Sequence, residues 1–249
     1  METQIASPSE RPRLYAQVAS GEEEVRQAQR LRYLVFAEER QARLESQAER
    51  LDRDRFDAHC THLLLREGGE GTVVGTYRLL DYKGARAAGG FYSAGEFDLR
   101  RLQPLAPWTV EIGRACIHPA YRSPAAITVL WSALIRHILL RGYQFVIGCA
   151  SVETGDGGHV AASICRQLLS QHRTEAERRV FPHRAFVLEG WADIPDVQIP
   201  GLIKGYLRLG ARVCGAPAWD ADFKTADLLM LLPIAEVNRR YAERILRDA

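Results

Sequence analysis

The sequence predicts a single α/β domain built on a mixed, mostly antiparallel sheet flanked by helices. Three observations carry that prediction. Residues 109–117 read as a buried strand feeding a long amphipathic helix that Gly142 stops. The runs 62–66 and 72–80 flank Glu67-Gly68-Gly69-Glu70-Gly71, a hairpin signal. Two further apolar runs, 211–214 and 226–232, precede a final amphipathic stretch from Ile234 to Leu246. No repeat, low-complexity block or linker divides the 249 residues, so one domain is expected.

Residues 1–13 are polar and proline-containing, which predicts a flexible arm, with the domain proper spanning 14–249. A first strand fits 14–19. Ser20-Gly21-Glu22-Glu23 has the capping-box pattern, and Val25, Ala28, Leu31 and Val35 continue at helical spacing. That helix carries Arg32 and Phe36 one turn apart. Residues 37–57 are densely charged and read as a solvated helix or mobile loop. A glycine-rich loop is expected over 84–95.

In the 109–117 strand, Val110, Ile112, Cys116 and Ile117 suit burial. Pro119 ends it, Ser123 is placed as N-cap and Pro124 as first helical residue. Ile127, Leu130, Trp131, Leu134, Ile135, Ile138 and Leu139 then repeat at helical spacing. Residues 144–150 form a third apolar strand, and a turn at 154–158 leads to a helix with Ala161, Ile164 and Leu168 inward. Residues 181–188 are a strand or an extended loop. In 200–209, Leu202, Tyr206 and Leu209 make a helical stripe flanked by Lys204 and Arg208, suited to a membrane surface or to packing on the sheet.

Composition narrows the function. A net charge of +2 does not imply bulk nucleic-acid binding. The 30 arginines against 3 lysines reflect either base composition or a need for planar guanidiniums that read phosphate and carboxylate. The five cysteines show no C-x-x-C and sit mostly in apolar runs, as in a reduced cytoplasm. His59-Cys60-Thr61-His62 lacks a second ligand pair, so no metal is expected. No secretory h-region and no window near eighteen apolar residues is evident, so neither export nor a membrane span is expected.

Glu111 and Arg114 place charge in an otherwise apolar strand, which is costly unless paired or used. They are either a structural ion pair or catalytic groups. Strict alternation puts them on opposite faces, and a bulge at Gly113 would bring them together and free a backbone N–H.

Arg32-x-x-x-Phe36, Asp54-x-x-Asp57, Arg78 and Glu111-x-x-Arg114 resemble the acidic and basic positions of acyl-homoserine-lactone synthases, although Ala42 stands near where those carry tryptophan. A closer resemblance is to the bacterial ornithine N-acyltransferases of ornithine-lipid synthesis, the hemolysin-like proteins. It rests on Thr76-Tyr77-Arg78-Leu79-Leu80, Gly90-Phe91-Tyr92-Ser93, Glu96-Phe97-Asp98-Leu99, Glu111-Ile112-Gly113-Arg114, 203–210 and 220–227. The resemblance implies a GNAT-like acyltransferase domain. It also implies transfer of a fatty acyl group, with or without a 3-hydroxyl, from acyl-carrier protein to the α-amine of ornithine, giving lyso-ornithine lipid. The phosphopantetheine of the carrier would be the donor arm, with no bound cofactor and no nucleic-acid partner. The expected setting is cytoplasmic, peripheral on the inner membrane.

On that pattern Glu111 is the candidate base, with Arg114 beside it, and a free N–H near Gly113–Ala115 suits the oxyanion. Arg78, Gly113 and Ala115 fall to the acyl donor. Arg32, Phe36, Asp54 and Asp57 fall to the amino acid. The turn 121–126 has no glycine, unlike the pyrophosphate-cradling turn of coenzyme A users, which favours a carrier-protein donor docked by Arg122 and Arg136. Cys116 and Cys149 read as core. The competing readings are a synthase of another N-acyl amino acid or of an acyl-homoserine lactone, and a non-catalytic acyl- or membrane-binding module.

Overall fold

A computed structural model describes residues 14–68 and 71–247, so the expected arm at 1–13 lies outside the described residues. In chain order the elements are β1 (Leu14–Val18), α1 (Glu22–Tyr33), β2 (Thr61–Glu67), β3 (Val73–Asp81), α2 (Tyr82–Ala88), β4 (Phe97–Asp98), β5 (Thr109–Ile117), α3 (Pro124–Arg141) and β6 (Phe145–Glu153). There follow α4 (His159–Gln171), β7 (Phe181–Pro182), α5 (Gly201–Leu209), β8 (Arg212–Val213), β9 (Ala218–Asp220), β10 (Thr225–Pro233) and α6 (Arg239–Arg247). The main sheet runs β1-β2-β3-β5-β6-β10-β8, with β9 paired to β10, and β4 pairs β7 separately. Its neighbours are antiparallel except β5 and β6.

The predicted caps of the central helix hold. The Ser123 hydroxyl accepts from the Ala126 N–H, Pro124 opens α3, and Gly142 closes it in the left-handed region. Helices cover both faces of the sheet, so consecutive residues of one strand are buried together. Leu63 and Leu65 pack with Leu130, Trp131 and Leu134 of α3, while Leu64 packs with Ala28 and Leu31 of α1 and with Val35 of the π-helical segment Leu34–Glu39 that continues it. Beyond β6, Ile164, Cys165 and Leu168 of α4 and Ile203 of α5 cover Ala150, Val152 and Leu228.

Several expectations need correction. Gly21, not Ser20, is the N-cap of α1, and Glu24 instead reaches back to the Ser20 N–H and hydroxyl. Residues 37–57 are only partly a solvated run: Glu38, Glu39, Arg40, Arg43, Glu45, Glu49, Arg50, Arg53 and Arg55 are exposed, but Ala42, Leu44 and Leu51 are buried, as are Asp52 and Asp57, which are matched by arginines from the sheet and α1. The stretch 84–95 is largely helical, since the Asp81 side chain caps α2 at the Gly84 N–H. Helix α3 is itself an 18-residue apolar helix of mean hydropathy 1.2, although its Leu130, Trp131, Leu134 and Ile138 are buried in the core.

The α5 stripe packs inward at Tyr206 and Leu209, while Leu202 is 40% exposed. Ile203 and Leu209 are buried, and Tyr206 stacks on Trp131 at 5.5 Å with its hydroxyl 2.6 Å from that of Tyr77. Gly205 is what allows this approach, because a Cβ there would sit 2.2 Å from the Trp131 ring.

Candidate active site

β5 and β6 pair in parallel at Thr109, Val110 and Glu111 only, though both strands continue beyond. Past Glu111 they part, and β5 keeps a sheet partner on one side, β3. Gly148 sits where they separate, with the Ile112 carbonyl so close that a Cβ would lie 2.4 Å from it. A cleft of about 530 Å³ opens there, floored by Ile112–Ala115 and walled by Cys149, Ser151, Asp227, Phe223 and Tyr206. That volume is within the range of small-molecule sites.

The bulge expected in β5 exists one residue later than predicted. Thr76 faces Cys116 but Arg78 faces Gly113, so Arg114 and Ala115 together oppose Tyr77, and Arg114 takes a φ of +49°. The extra residue shifts the alternation, so Glu111 and Arg114 line the same cleft. They are not each other's partner. The Glu111 carboxylate accepts the Tyr92 and Ser93 N–H groups at 2.6 and 2.8 Å, presented by the turn after α2. Burial raises its pKa, and that outweighs the hydrogen bonds from Ser93 and Tyr92 and the charge of Arg78.

Arg114 belongs to a buried network of three arginines and three aspartates. Its Nε lies 3.4 Å from Asp52 and its Nη2 3.6 Å from Asp54. Arg78 meets Asp54 at 2.7 Å and Asp57 at 3.4 Å, while the wholly buried Arg32 meets Asp52 and Asp57, each at 2.8 Å. Burial alone would raise the pKa of Asp57, but Arg32 and Arg78 hold it below its ordinary value. Removing one partner of such a set leaves an uncompensated buried charge, at a cost of about 3–5 kcal/mol. Phe36, Tyr92 and Phe223 surround the Arg114 guanidinium with ring centroids at 6.0, 5.1 and 4.7 Å.

This changes where the predicted acceptor residues stand. Phe36 lines the cleft, whereas Arg32, Asp54 and Asp57 lie behind its wall, engaged with one another and with Arg78. Arg122 sits at the end of β5, where its Nε donates to the Ile117 carbonyl and its guanidinium clasps Glu39 at the cleft mouth. Arg136 is not beside it. It lies fourteen residues on, roughly 20 Å along a helix, and its Nη2 donates to the Leu246 carbonyl on α6.

Two relatives decide the family. L-ornithine N(alpha)-acyltransferase of Brucella abortus (strain 2308) is 34% identical over 247 residues, covering 92% of this chain and 87% of that protein. The protein of the same name from Agrobacterium fabrum is 34% identical over 248 residues, covering 92% and 83%. The chain belongs to this family of N-acyltransferases. An acetyltransferase (GNAT) domain matches residues 31–132 of the acyltransferase. Its fold is shared with FeeM, an N-acyl amino acid synthase from uncultured soil microbes (TM-score 0.55, 13% identity, 91% of this chain and 93% of that one). The acyl-homoserine-lactone synthase LasI shares it too (0.51, 14%, 90% and 91%).

Residues of the acyltransferase that sequence reasoning missed lie on the cleft's far wall, at Asp220 and Asp227, and just behind it, at Glu96. The ligand atoms of Glu96, Cys149 and Asp227 come within 4.8 Å of one another, and Asp220 lines the cleft beside Asp227. Burial pushes up the pKa of Glu96, reinforced by the charges of Asp227, Asp220 and Glu111. Burial and then Asp220 push up that of Asp227, against the hydrogen bond from Thr225. Four acids converge here, and a cation between them would relieve their repulsion. The only sequence signal was that Glu96 and 220–227 fell within the quoted motifs. The Cys149 thiol is held well above its ordinary pKa by burial and Glu96, and burial pushes Cys116 up to about 12, so neither is poised as a thiolate nucleophile.

A second, apolar cavity of about 330 Å³ meets the cleft at Ile112, Cys149 and Tyr206. Leu134, Ile135 and Ile138 of α3, Val146 and Met230 of the sheet and Leu209 of α5 line it. A polar reaction cleft thus adjoins a chamber fit for a hydrocarbon chain.

Proposed function

We propose that the protein transfers a fatty acyl group from the phosphopantetheine of acyl-carrier protein to the α-amine of L-ornithine. The observation that carries this reading is the pairing of a carboxylate-walled cleft with an apolar chamber at one boundary, in a chain whose relatives are named for ornithine Nα-acylation. The donor arm enters the parted end of β5 and β6, where the free edge of β5 supplies backbone groups for pantetheine amides. The acyl chain passes Ile112 and Tyr206 into the chamber. Glu111, raised in pKa by burial, takes the α-ammonium proton directly or through water. The freed amine attacks the thioester carbonyl and the amide bond forms as the C–S bond breaks; of the two protons the nitrogen gives up, one ends on the leaving thiolate and the other passes to solvent. Arg114, clamped by aspartates and rings, sets a fixed positive charge beside the developing oxyanion.

Ornithine needs a second anchor for its side-chain ammonium. Asp54 and Asp57, matched by arginines, are poorly suited to it, whereas Asp227 and Asp220 line the cleft with Glu96 beside Asp227. Among the described residues none of these three acids is in a salt bridge, although the charge of Arg114 reaches Glu96 and Asp227. An ammonium there stabilises the ionised acids and is held by them. A membrane-associated product route would use a surface other than α5, whose Ile203, Tyr206 and Leu209 pack inward.

The donor is tested by comparing acyl-carrier protein with the matching acyl-coenzyme A. Carrier protein is expected to be preferred, and Arg122→Glu to raise its KM several-fold without changing that for ornithine. Equal use of acyl-coenzyme A, insensitive to Arg122→Glu, would contradict the carrier assignment.

A further inference from the structure

The apolar chamber has a second end. From Ile112, Cys149 and Tyr206 it extends between α3 and α6 to Leu139, Arg239, Glu243 and Leu246. Leu139 is 55% exposed, and Leu140 beside it is 87% exposed. Isolated surface leucines need no explanation. These two stand at the open end of an apolar chamber, on an 18-residue apolar helix of which only 33% is buried.

Arginines surround that end. Arg136, one turn before Leu140, reaches the Leu246 carbonyl of α6, and Arg141 closes α3. Arg239 lines the opening, while Arg240, Arg244 and Arg247 follow at i, i+4 and i+7 along α6 and are exposed. Among the described residues of this region, Glu243 lies at the opening and Glu236 meets Arg178 at 3.8 Å. Helix α6 buries only Ile245 fully, so it is the least anchored wall of the chamber.

We propose that the α3–α6 edge docks on an anionic membrane surface, with the chamber's second end as the portal through which the acyl chain of the product enters the bilayer. Exposed leucines for the acyl boundary and flanking guanidiniums for anionic headgroups are the chemistry an interfacial site requires. A chain leaving by this route stays in mostly apolar surroundings until it reaches the Arg239 and Glu243 rim. The portal role rests on the acyltransferase reading; the docking does not.

The full chain is sedimented with phosphatidylcholine vesicles, with and without phosphatidylglycerol. Binding is expected with the anionic vesicles only. Arg240→Glu with Arg247→Glu, and separately Leu140→Glu, should each weaken it about 10-fold or more. Melting temperature and turnover with a short, water-soluble acyl donor should stay at wild-type values. Ile127→Glu, an exposed apolar site at the other end of α3, should bind like wild type. Absence of wild-type binding, or undiminished binding by the variants, would overturn the docking. So would a rise in KM for acyl-carrier protein with vesicle binding unchanged, because the surface would then be a carrier-protein site. Vesicle binding as expected in a wild-type protein that does not acylate ornithine would support the docking while sinking the acyltransferase reading.

Discussion

Glu111→Gln is expected to lower kcat/KM by about 10²–10⁴-fold, the usual contribution of a general base. The side chain keeps its shape, but its amide can accept from only one of the Tyr92 and Ser93 N–H groups; the other then faces an NH₂. A stability loss of about 1–3 kcal/mol should therefore accompany the loss of turnover. Melting temperature separates the two, because the activity loss persists well below the transition. The wild-type pH profile makes the same assignment. Only ionised Glu111 accepts a proton, and burial raises its pKa, so the acidic limb of kcat/KM should rise at a pH above the ordinary glutamate value. The sign for stability is opposite. The folded state keeps this proton where the unfolded state has released it, so this group's contribution falls as pH rises from the unfolded pKa through the folded one. Near-wild-type turnover by a folded Glu111→Gln protein would remove Glu111 from the mechanism.

Asp227→Asn is expected to collapse the preference for ornithine over norvaline, which is the same amino acid without the terminal amine. Leaving one charge of a buried pair without its partner costs about 2–5 kcal/mol, or roughly 30-fold to a few thousand-fold in the ratio of kcat/KM values. The loss should fall on ornithine alone. Norvaline turnover should hold or improve, since the substitution also removes an anion beside an apolar side chain. The neighbouring acids make the direction firm: Asp227 and Glu96 resist ionisation together when no cation lies between them, and a bound ammonium reverses that. An unchanged ornithine-to-norvaline ratio would place the side-chain ammonium elsewhere.

The architecture was readable where local chemistry decided it. Ser123, Pro124 and Gly142 specify the ends of α3 through cap geometry alone, and the glycine-rich turn marks the first hairpin. The bulge followed from an odd spacing of two charges in a buried strand, although its place at Arg114 rather than Gly113 depends on pairing with β3. Burial of Asp52 and Asp57 was not readable, because a charged run looks solvated until arginines from three distant segments meet it. Nor was the group of acids: Glu96 and Asp227 are 131 positions apart, and only the tertiary fold brings the turn before β4 against β6 and β10, within reach of Cys149. The α5 stripe has the same pattern whether it faces lipid or core, and Trp131 against Gly205 decides for the core.

The central claim is that this cleft forms an amide at ornithine's α-amine. It is tested most directly by one reaction of purified protein with acyl-carrier protein charged with an isotopically labelled acyl chain. Ornithine and norvaline compete at equal concentration, and tandem mass spectrometry locates the label. The account predicts Nα-acylornithine as the dominant product, with Glu111→Gln forming little of it. Labelled acyl on the side-chain amine, dominance of acylnorvaline, or no acylated amino acid at all would contradict it.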